Sequence, residues 1–419
     1  MPHRKSLDII LGGGKGKRLE LLTRDRAKPA TPFGGLYRII DIPFSNLVNS
    51  GSTYIIVVVQ YQPASLVRHL NHVWNKEMKV KHNLHLEIAK PMYGKEYAGT
   101  ANAVYQNLDR IIAQTPQIVG IFGGDHIYLI DVSQMKQFHL DNRADLTIAA
   151  LPVPVEQAKG ELGVLVADAN NRVVGFEEKV QNPTEIPGMP GYCWGSMGNY
   201  VFKTQFLTDT LKADAAKMLL DGNPENRAIV ASSRGRYTTG DFGYDIIPGA
   251  VEDGRRVMLY DFRQNAPDAV PIREYWRDVG TIDQLAAANF DLVDGKFVLA
   301  NPGWPIHTFD ESHGKSTIGM EFVENSIVAN GGVLEDCRVV HCVAGYNVHV
   351  GPLTEATDSI FMGDNWIGRN VRINRTILDK GTKVLDNMRV GVFRNEDHNH
   401  GFPKSLGGYI VIPRNHTFE

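Results

Sequence analysis

Three short stretches of this 419-residue chain hold residue types that could do phosphate chemistry. The first, LGGGKGKRL (11–19), sets four glycines and three cations directly after an apolar run. A glycine-rich turn in that position can present backbone N–H groups to an anion. Lys15 and Arg18 would add charge, and Arg18 can bind with both arms of its fork. The loop is not a Walker A element, because Gly16-Lys17 is followed by Arg18 rather than Ser or Thr. Nor does it fit G-x-G-x-x-G, since the third glycine would fall on Lys17 or Leu19. Two readings remain: a loop that shares a triphosphate between main chain and cations, or a solvated basic turn. Arg24, Arg26 and Lys28 follow closely, and so many like charges beside a buried strand favour an anion.

The second stretch, FGGDHIY (122–128), puts Asp125 behind an apolar run and two glycines. A carboxylate there can hold Mg²⁺ between phosphates, or cap the following segment. The third, YWRDVGT (275–281), offers Asp278, either as a second carboxylate on the same ion or as the partner of Arg277. In FEEKV (176–180), Lys179 could reach a second anion while Glu178 accepts hydrogen bonds from hydroxyls; the alternative is a surface lysine. No G-x-S-x-G elbow and no H-E-x-x-H occurs, and the fourteen histidines show no metal-ligand spacing.

These residues must be gathered by the elements between them. LDIIL (7–11), TYIIVVV (53–59), LHLEIA (84–89), IVGIF (118–122) and DLTIAALPV (145–153) read as strands. SLVRHLNHVW (65–74), TANAVYQNLDRII (100–112) and SQMKQFHLDN (133–142) read as helices. Alternation of this kind predicts an α/β domain, a mostly parallel sheet with helices on both faces and ligands beyond the carboxyl ends of its strands. The loops at 12–18 and 123–126 lie at those ends. After about residue 300 the pattern changes. Aliphatic residues recur six apart at Ile327, Val333 and Val339, at Ile367 and Ile373, and at Leu378, Val384 and Val390. This suits a parallel β-helix; a β-sandwich with coincidental spacing is the alternative. The expected division is a catalytic domain over 1–300, a linker over 301–325 containing the proline-bearing NPGWPIHTF, and a β-helix over 326–419.

Composition narrows the partners. A net charge of −3 gives no general attraction to nucleic acid or to an anionic membrane. The start, MPHRKSLDIIL, has too short an apolar run for a signal peptide, and no stretch approaches a membrane helix. Cys193, Cys337 and Cys342 form no C-x-x-C pair, which argues against structural zinc and suits a reducing cytoplasm.

Taken together, the motifs resemble the glucose-1-phosphate adenylyltransferase (ADP-glucose pyrophosphorylase) family over almost the whole chain. LGGGKGKRL matches its opening motif. RAKPA (26–30), YRIIDIPFSNLVNSG (37–51), VVQYQ (58–62), GTANAV (99–104), SMGNYVF (196–202) and DFGYDIIP (241–248) match further blocks, and YWRDVGT and WPIHT are the more specific ones. The resemblance implies a Rossmann-like nucleotidyltransferase domain followed by a left-handed parallel β-helix. It implies Mg²⁺-dependent joining of ATP and glucose 1-phosphate for glycogen- or starch-type glucan synthesis, in a homotetramer. Residue by residue, it implies that Arg18 and Lys15 bind the triphosphate, Lys28 steadies the departing pyrophosphate, and Asp125 and Asp278 carry Mg²⁺. Leu11, Gly12, Gly13, Gly14, Gly16, Gln60, Gly99 and Thr100 fall to the nucleotide. Tyr97, Gly163, Glu178, Lys179 and Ser196 fall to glucose 1-phosphate. UDP- or dTDP-glucose synthesis on the same fold is the alternative activity, and a non-catalytic regulatory subunit the alternative role.

Several positions depart from the family pattern. Gly12 stands where Ala is usual, Lys15 where Arg is common, Asn102 in place of Asp, and Val180 in place of Pro. Asp25 occupies a position that is often a lysine binding sugar-phosphate activators, and Pro32 one that is often aromatic or His. A phosphorylated effector could still meet Arg26, Arg38 and Arg372 or Arg375 between the domains.

Overall fold

The computed structural model describes residues 6–14, 16–91, 96–221, 238–267, 274–311, 314–318, 322–392 and 401–418. Lys15 lies outside them. The amino-terminal half is built on a nine-stranded mixed sheet. Its parallel part runs in the order His85–Ala89, Tyr54–Val58, Ser6–Leu11, Ile118–Gly123. Tyr192–Lys203 then joins Ile118–Gly123 antiparallel and carries Leu146–Pro154 and Gly163–Ala167. Aliphatic and β-branched strand residues point into two apolar layers, one on each face of the sheet. Because the four central strands are parallel, the segments after Leu11, Val58 and Gly123 emerge at one edge.

The helix expected over 100–112 is interrupted. It forms as Thr100–Tyr105 and Leu108–Ala113. The Asn107 amide donates to the Ala103 carbonyl (2.9 Å) and to the Tyr97 hydroxyl (3.2 Å), a side-chain competition that breaks the ladder.

The carboxyl-terminal half forms three parallel five-stranded sheets that wind as coils. Strands begin at Thr317–Ile318 and Phe322–Glu324, inside the segment expected as linker. Val333 pairs with His349 and Trp366 with Lys383, so one coil takes 16 or 17 residues rather than three full hexads. One side of each coil is a residue shorter: the inward series runs Val339, Ala344, Val350, Ala356, Phe361, Ile367, Ile373, Leu378, Val384, Val390, all buried. Corners fall on residues with positive φ such as Asp336, Asn347, Asp358, Asp364 and Asn370, types that tolerate this backbone. The coil geometry is that of a parallel β-helix and is consistent with the left-handed form.

A shared apolar cluster joins the two halves. Leu19, Leu22, Phe33 and Ile39 meet Ile282 and Leu285 of the helix Ile282–Val293, and Val343, Ile360, Ile377 and Val411 of the coils. No helix among the described residues is long and apolar enough to cross a membrane.

Candidate active site

The glycine loop leaves the Ser6–Leu11 strand and folds over its neighbour. Gly12 N–H donates to the Val58 carbonyl at 2.8 Å. Gly16 is the one glycine of the loop in the left-handed region, at φ 58°. A Cβ there would meet Lys28 Cβ and Thr23 Cγ2, both at 3.1 Å, so the turn requires glycine twice over. The turn starts the short 3-10 helix Lys17–Thr23, which carries Arg18, and Thr23 Oγ1 closes it on the Gly16 carbonyl.

Lys28 and the two carboxylates form the centre. Lys28 Nζ donates to Asp125 Oδ2 (2.9 Å) and to Asp278 Oδ1 (3.1 Å). Asp125 follows the Ile118–Gly123 strand, as expected. Asp278 arrives differently: Trp276–Asp278 pairs antiparallel with His126–Tyr128, and Asp278 lies opposite His126. This two-stranded ribbon brings residues 125 and 278 together. The alternative pairing of Arg277 with Asp278 does not form: Arg277 pairs with Asp291 (2.6 Å). Burial works against the charge of Lys28, but Asp125 and Asp278 outweigh it and hold its pKa above the ordinary lysine value. Burial likewise opposes ionisation of Asp125, and Lys28 and then His126 overcome it and lower its pKa. Lys28 and Asp125 are thereby each held in the charged form at neutral pH.

A cleft of about 750 Å³ opens from this centre. Among the expected residues it takes in Leu11, Gly13, Gly14, Arg18, Gln60, Tyr97, Gly99, Thr100, Asp125, Gly163, Glu178, Lys179, Ser196 and Asp278. Lys28, Gly12 and Gly16 do not line it, although Lys28 bonds to two residues that do. Gln60 Oε1 accepts from Tyr97 N–H at 3.0 Å, which fixes the amide. Glu178 ends the Val173–Glu178 strand between two glycines. A Cβ at Gly243 would come within 2.5 Å of its Oε2, and one at Gly163 within 2.7 Å. Burial pushes the Glu178 carboxyl up, against the pull of Lys179, whose Nζ is 3.6 Å away. Ser196 precedes an irregularity in the Tyr192–Lys203 strand, where Gly198 turns at φ 68°.

Sequence reasoning missed several of the cleft residues. Glu161 forms an ion pair with Arg18 across the cleft. Asp241 accepts from Thr100 Oγ1 at 2.8 Å, and Phe242 N–H donates back to that oxygen at 3.1 Å. His126, Tyr200 and Trp276 also line the wall. The usable signal was DFGYD (241–245), where two carboxylates and a glycine directly precede the apolar run IIPGAV (246–251).

A family described as nucleotidyl transferase matches residues 7–295, and a GlmU-like carboxyl-terminal hexapeptide family matches 310–412. A glucose-1-phosphate adenylyltransferase of Teredinibacter turnerae is 37% identical over 98% of this chain and 95% of its own length. A glucose-1-phosphate adenylyltransferase 1 of Vibrio parahaemolyticus is 38% identical over 97% and 98%. The corresponding protein of Deinococcus radiodurans is 36% identical over 98% and 99%. The chain belongs to the glucose-1-phosphate adenylyltransferase family. It is accordingly a nucleotidyltransferase enzyme, of a kind that generally depends on a divalent metal.

In this adenylyltransferase-family chain the expected effector cluster is only half assembled. Arg26 and Arg38 line a cavity of about 480 Å³ between the domains, with Arg68, Lys380 and Arg414. Arg372 and Arg375 do not line it. They stand exposed on the coils, where Arg372 faces Glu355 at 3.8 Å and Arg375 donates to the Gly407 carbonyl at 3.2 Å. The coil face that meets the catalytic domain is the sheet carrying Val343, Ile360, Ile377 and Val411; Arg372 lies on a different sheet and Arg375 at the corner that follows it. Within the cavity Arg26 is bound bidentately by buried Asp379, and Glu311 pairs with both Arg38 and Lys380.

Proposed function

We propose that this chain transfers the adenylyl group of ATP to α-D-glucose 1-phosphate, giving ADP-glucose and pyrophosphate. The observation that carries the reading is the meeting of Asp125, Asp278 and Lys28 at the foot of the glycine loop, in a cleft that also holds the half-buried Glu178. The names of the relatives support the substrates. The reaction needs no enzyme nucleophile: an oxygen of the sugar phosphate bonds to the α-phosphorus, and the bond to the β-phosphate oxygen breaks. Catalysis is then positioning and charge neutralisation.

Asp125 and Asp278 suit Mg²⁺, since both offer hard carboxylate oxygens and carry enough negative charge to hold Lys28 between them. Bound there, Mg²⁺ would neutralise phosphate charge. Arg18 exchanges Glu161 for the triphosphate, and Lys15 adds a second cation. Lys28 steadies the departing pyrophosphate. Gln60 and the main chain at 11–14 hold the adenine end, with Gly99 and Thr100 beside it. Glu178 accepts from sugar hydroxyls, Lys179 takes the sugar phosphate, and Tyr97, Gly163 and Ser196 close around it.

Residues 1–300 carry catalysis and the β-helix of 326–419 supports assembly as a homotetramer. The interdomain cavity of Arg26 and Arg38 is the place for a small phosphorylated effector. The three free thiols favour a cytoplasmic setting. The test is the rate of pyrophosphate release with glucose 1-phosphate and ATP, UTP or dTTP. ATP should be used best; equal or better use of UTP would overturn the base assignment.

A further inference from the structure

His126 has no part in the reading above, yet it faces both carboxylates. Its Nε2 lies 3.6 Å from Asp125 Oδ1 and 3.9 Å from Asp278 Oδ1. One ligand atom from each of the three residues falls within 4.8 Å of the others. Two donors that share an ion at about 2.1 Å are about 3 Å apart when adjacent and about 4.2 Å apart when opposite. The histidine-to-carboxylate spacings fall inside that range.

The ring is also held in place. It stands edge-on to Trp276, with centroids 5.4 Å apart and planes at 70°. Gly123 and Gly198 bound its other sides: a Cβ at Gly123 would come within 3.2 Å of Cε1 and Nδ1, and one at Gly198 within 3.3 Å of Cε1. Nδ1 is buried without a hydrogen-bond partner among the described residues, whereas Nε2 is aimed at the carboxylates. Lys28 reaches Asp125 through Oδ2 and His126 faces its Oδ1, so the ammonium and a cation can approach that carboxylate from different sides.

We propose that His126 is a third protein donor to the divalent cation, beside Asp125 and Asp278. The proposal rests on the metal reading given under Proposed function. A nitrogen donor among carboxylates raises affinity along the Irving–Williams order, modestly for the hard ion Mn²⁺ and more for Co²⁺, relative to Mg²⁺. The site would therefore hold Mn²⁺ without nucleotide, where two carboxylates sharing a lysine would hold it poorly.

The experiment uses the full chain and Mn²⁺ alone. Binding is followed by loss of the free-ion electron paramagnetic resonance signal, and nitrogen ligation by electron spin-echo modulation. The wild type should show a ¹⁴N coupling that becomes a ¹⁵N coupling when histidine alone is ring-labelled. His126→Gln, with His126→Asn as a second variant, should lose that coupling and bind Mn²⁺ on the order of tenfold more weakly. Wild-type Mn²⁺ bound in an Asp125-dependent way but with no histidine nitrogen coupling would overturn the proposal while leaving the metal reading intact. If Asp125→Asn binds Mn²⁺ as the wild type does, the metal reading itself fails. The nitrogen signal of the wild type is informative even if a variant does not fold.

Discussion

Arg18 is engaged before any substrate arrives, because Glu161 already holds its guanidinium. Both side chains are about half exposed, so the pair itself adds little stability. With Arg18 as the proposed triphosphate ligand, the consequence is competition: phosphate would have to displace a carboxylate. Glu161→Gln should therefore lower the KM for ATP with kcat nearly unchanged, and a raised KM would contradict the exchange. Lys28 behaves differently, since it is buried on two carboxylates. Lys28→Ala should reduce kcat on the order of 10²–10³-fold, the usual cost of losing one preorganised charge. Steady-state kinetics separates the two effects. At this scale the sequence was legible where a residue type had few alternative uses, as with Asp125 or Arg18. His126 and Glu161 were not legible, because an isolated histidine or glutamate becomes informative only when its neighbours in space are known.

Elements explain what brought the remaining groups together. The edge formed by the parallel strands was readable from the apolar runs at 7–11, 53–59 and 118–122, whose ends carry the glycine loop, Gln60 and Asp125. The ribbon that delivers Asp278 was not, since Trp276–Asp278 is three residues long and pairs across the 147 residues between Tyr128 and Trp276. The hexad pattern was legible only in pieces, because the five-residue step at Val339–Ala344 and its repeats breaks the period and small alanines mask the inward series. The split at Asn107 was hidden because helical spacing continues across it. The helix Ile282–Val293 supports the ribbon from behind, beginning with a full capping box between Thr281 and Gln284. Thr281→Ala should cost about 1 kcal/mol and lower the unfolding midpoint by a few degrees, measured by calorimetry, without altering KM for either substrate. Gly243→Ala tests the opposite face. Its Cβ would strike the Glu178 carboxylate, so KM for glucose 1-phosphate should rise well before stability falls.

At the scale of the whole molecule, the domains are tied by apolar packing and by charges buried in the same joint. Arg26 and Asp379 are each at most 4% exposed and link the catalytic domain to the coils. Arg26→Ala would strand Asp379, and the loss should be about 3–5 kcal/mol of stability, read from denaturant unfolding. Asp25, Glu311 and Asp379 already offset the cations of this joint. Fructose 1,6-bisphosphate should accordingly activate only weakly, and strong activation in a turnover assay would place its site elsewhere. Acid should loosen the fold through His139, which burial holds neutral with a pKa of about 4, against the ordinary 6.5. Between those values the unfolded chain binds a proton that the folded one refuses. Stability from this residue is thus full above about pH 6.5 and falls as pH drops towards 4, by about 3 kcal/mol in all. Thermal unfolding across that range should show a midpoint that declines with acidity. The central claim is that Asp125 and Asp278, with Lys28 between them, form the reacting centre of an adenylyltransferase. The most direct measurement is ADP-glucose formation from ATP and glucose 1-phosphate by the purified chain and by its Asp125→Asn variant. The wild type should turn over and the variant should fall on the order of 10²–10³-fold; equal turnover by the two would contradict the account.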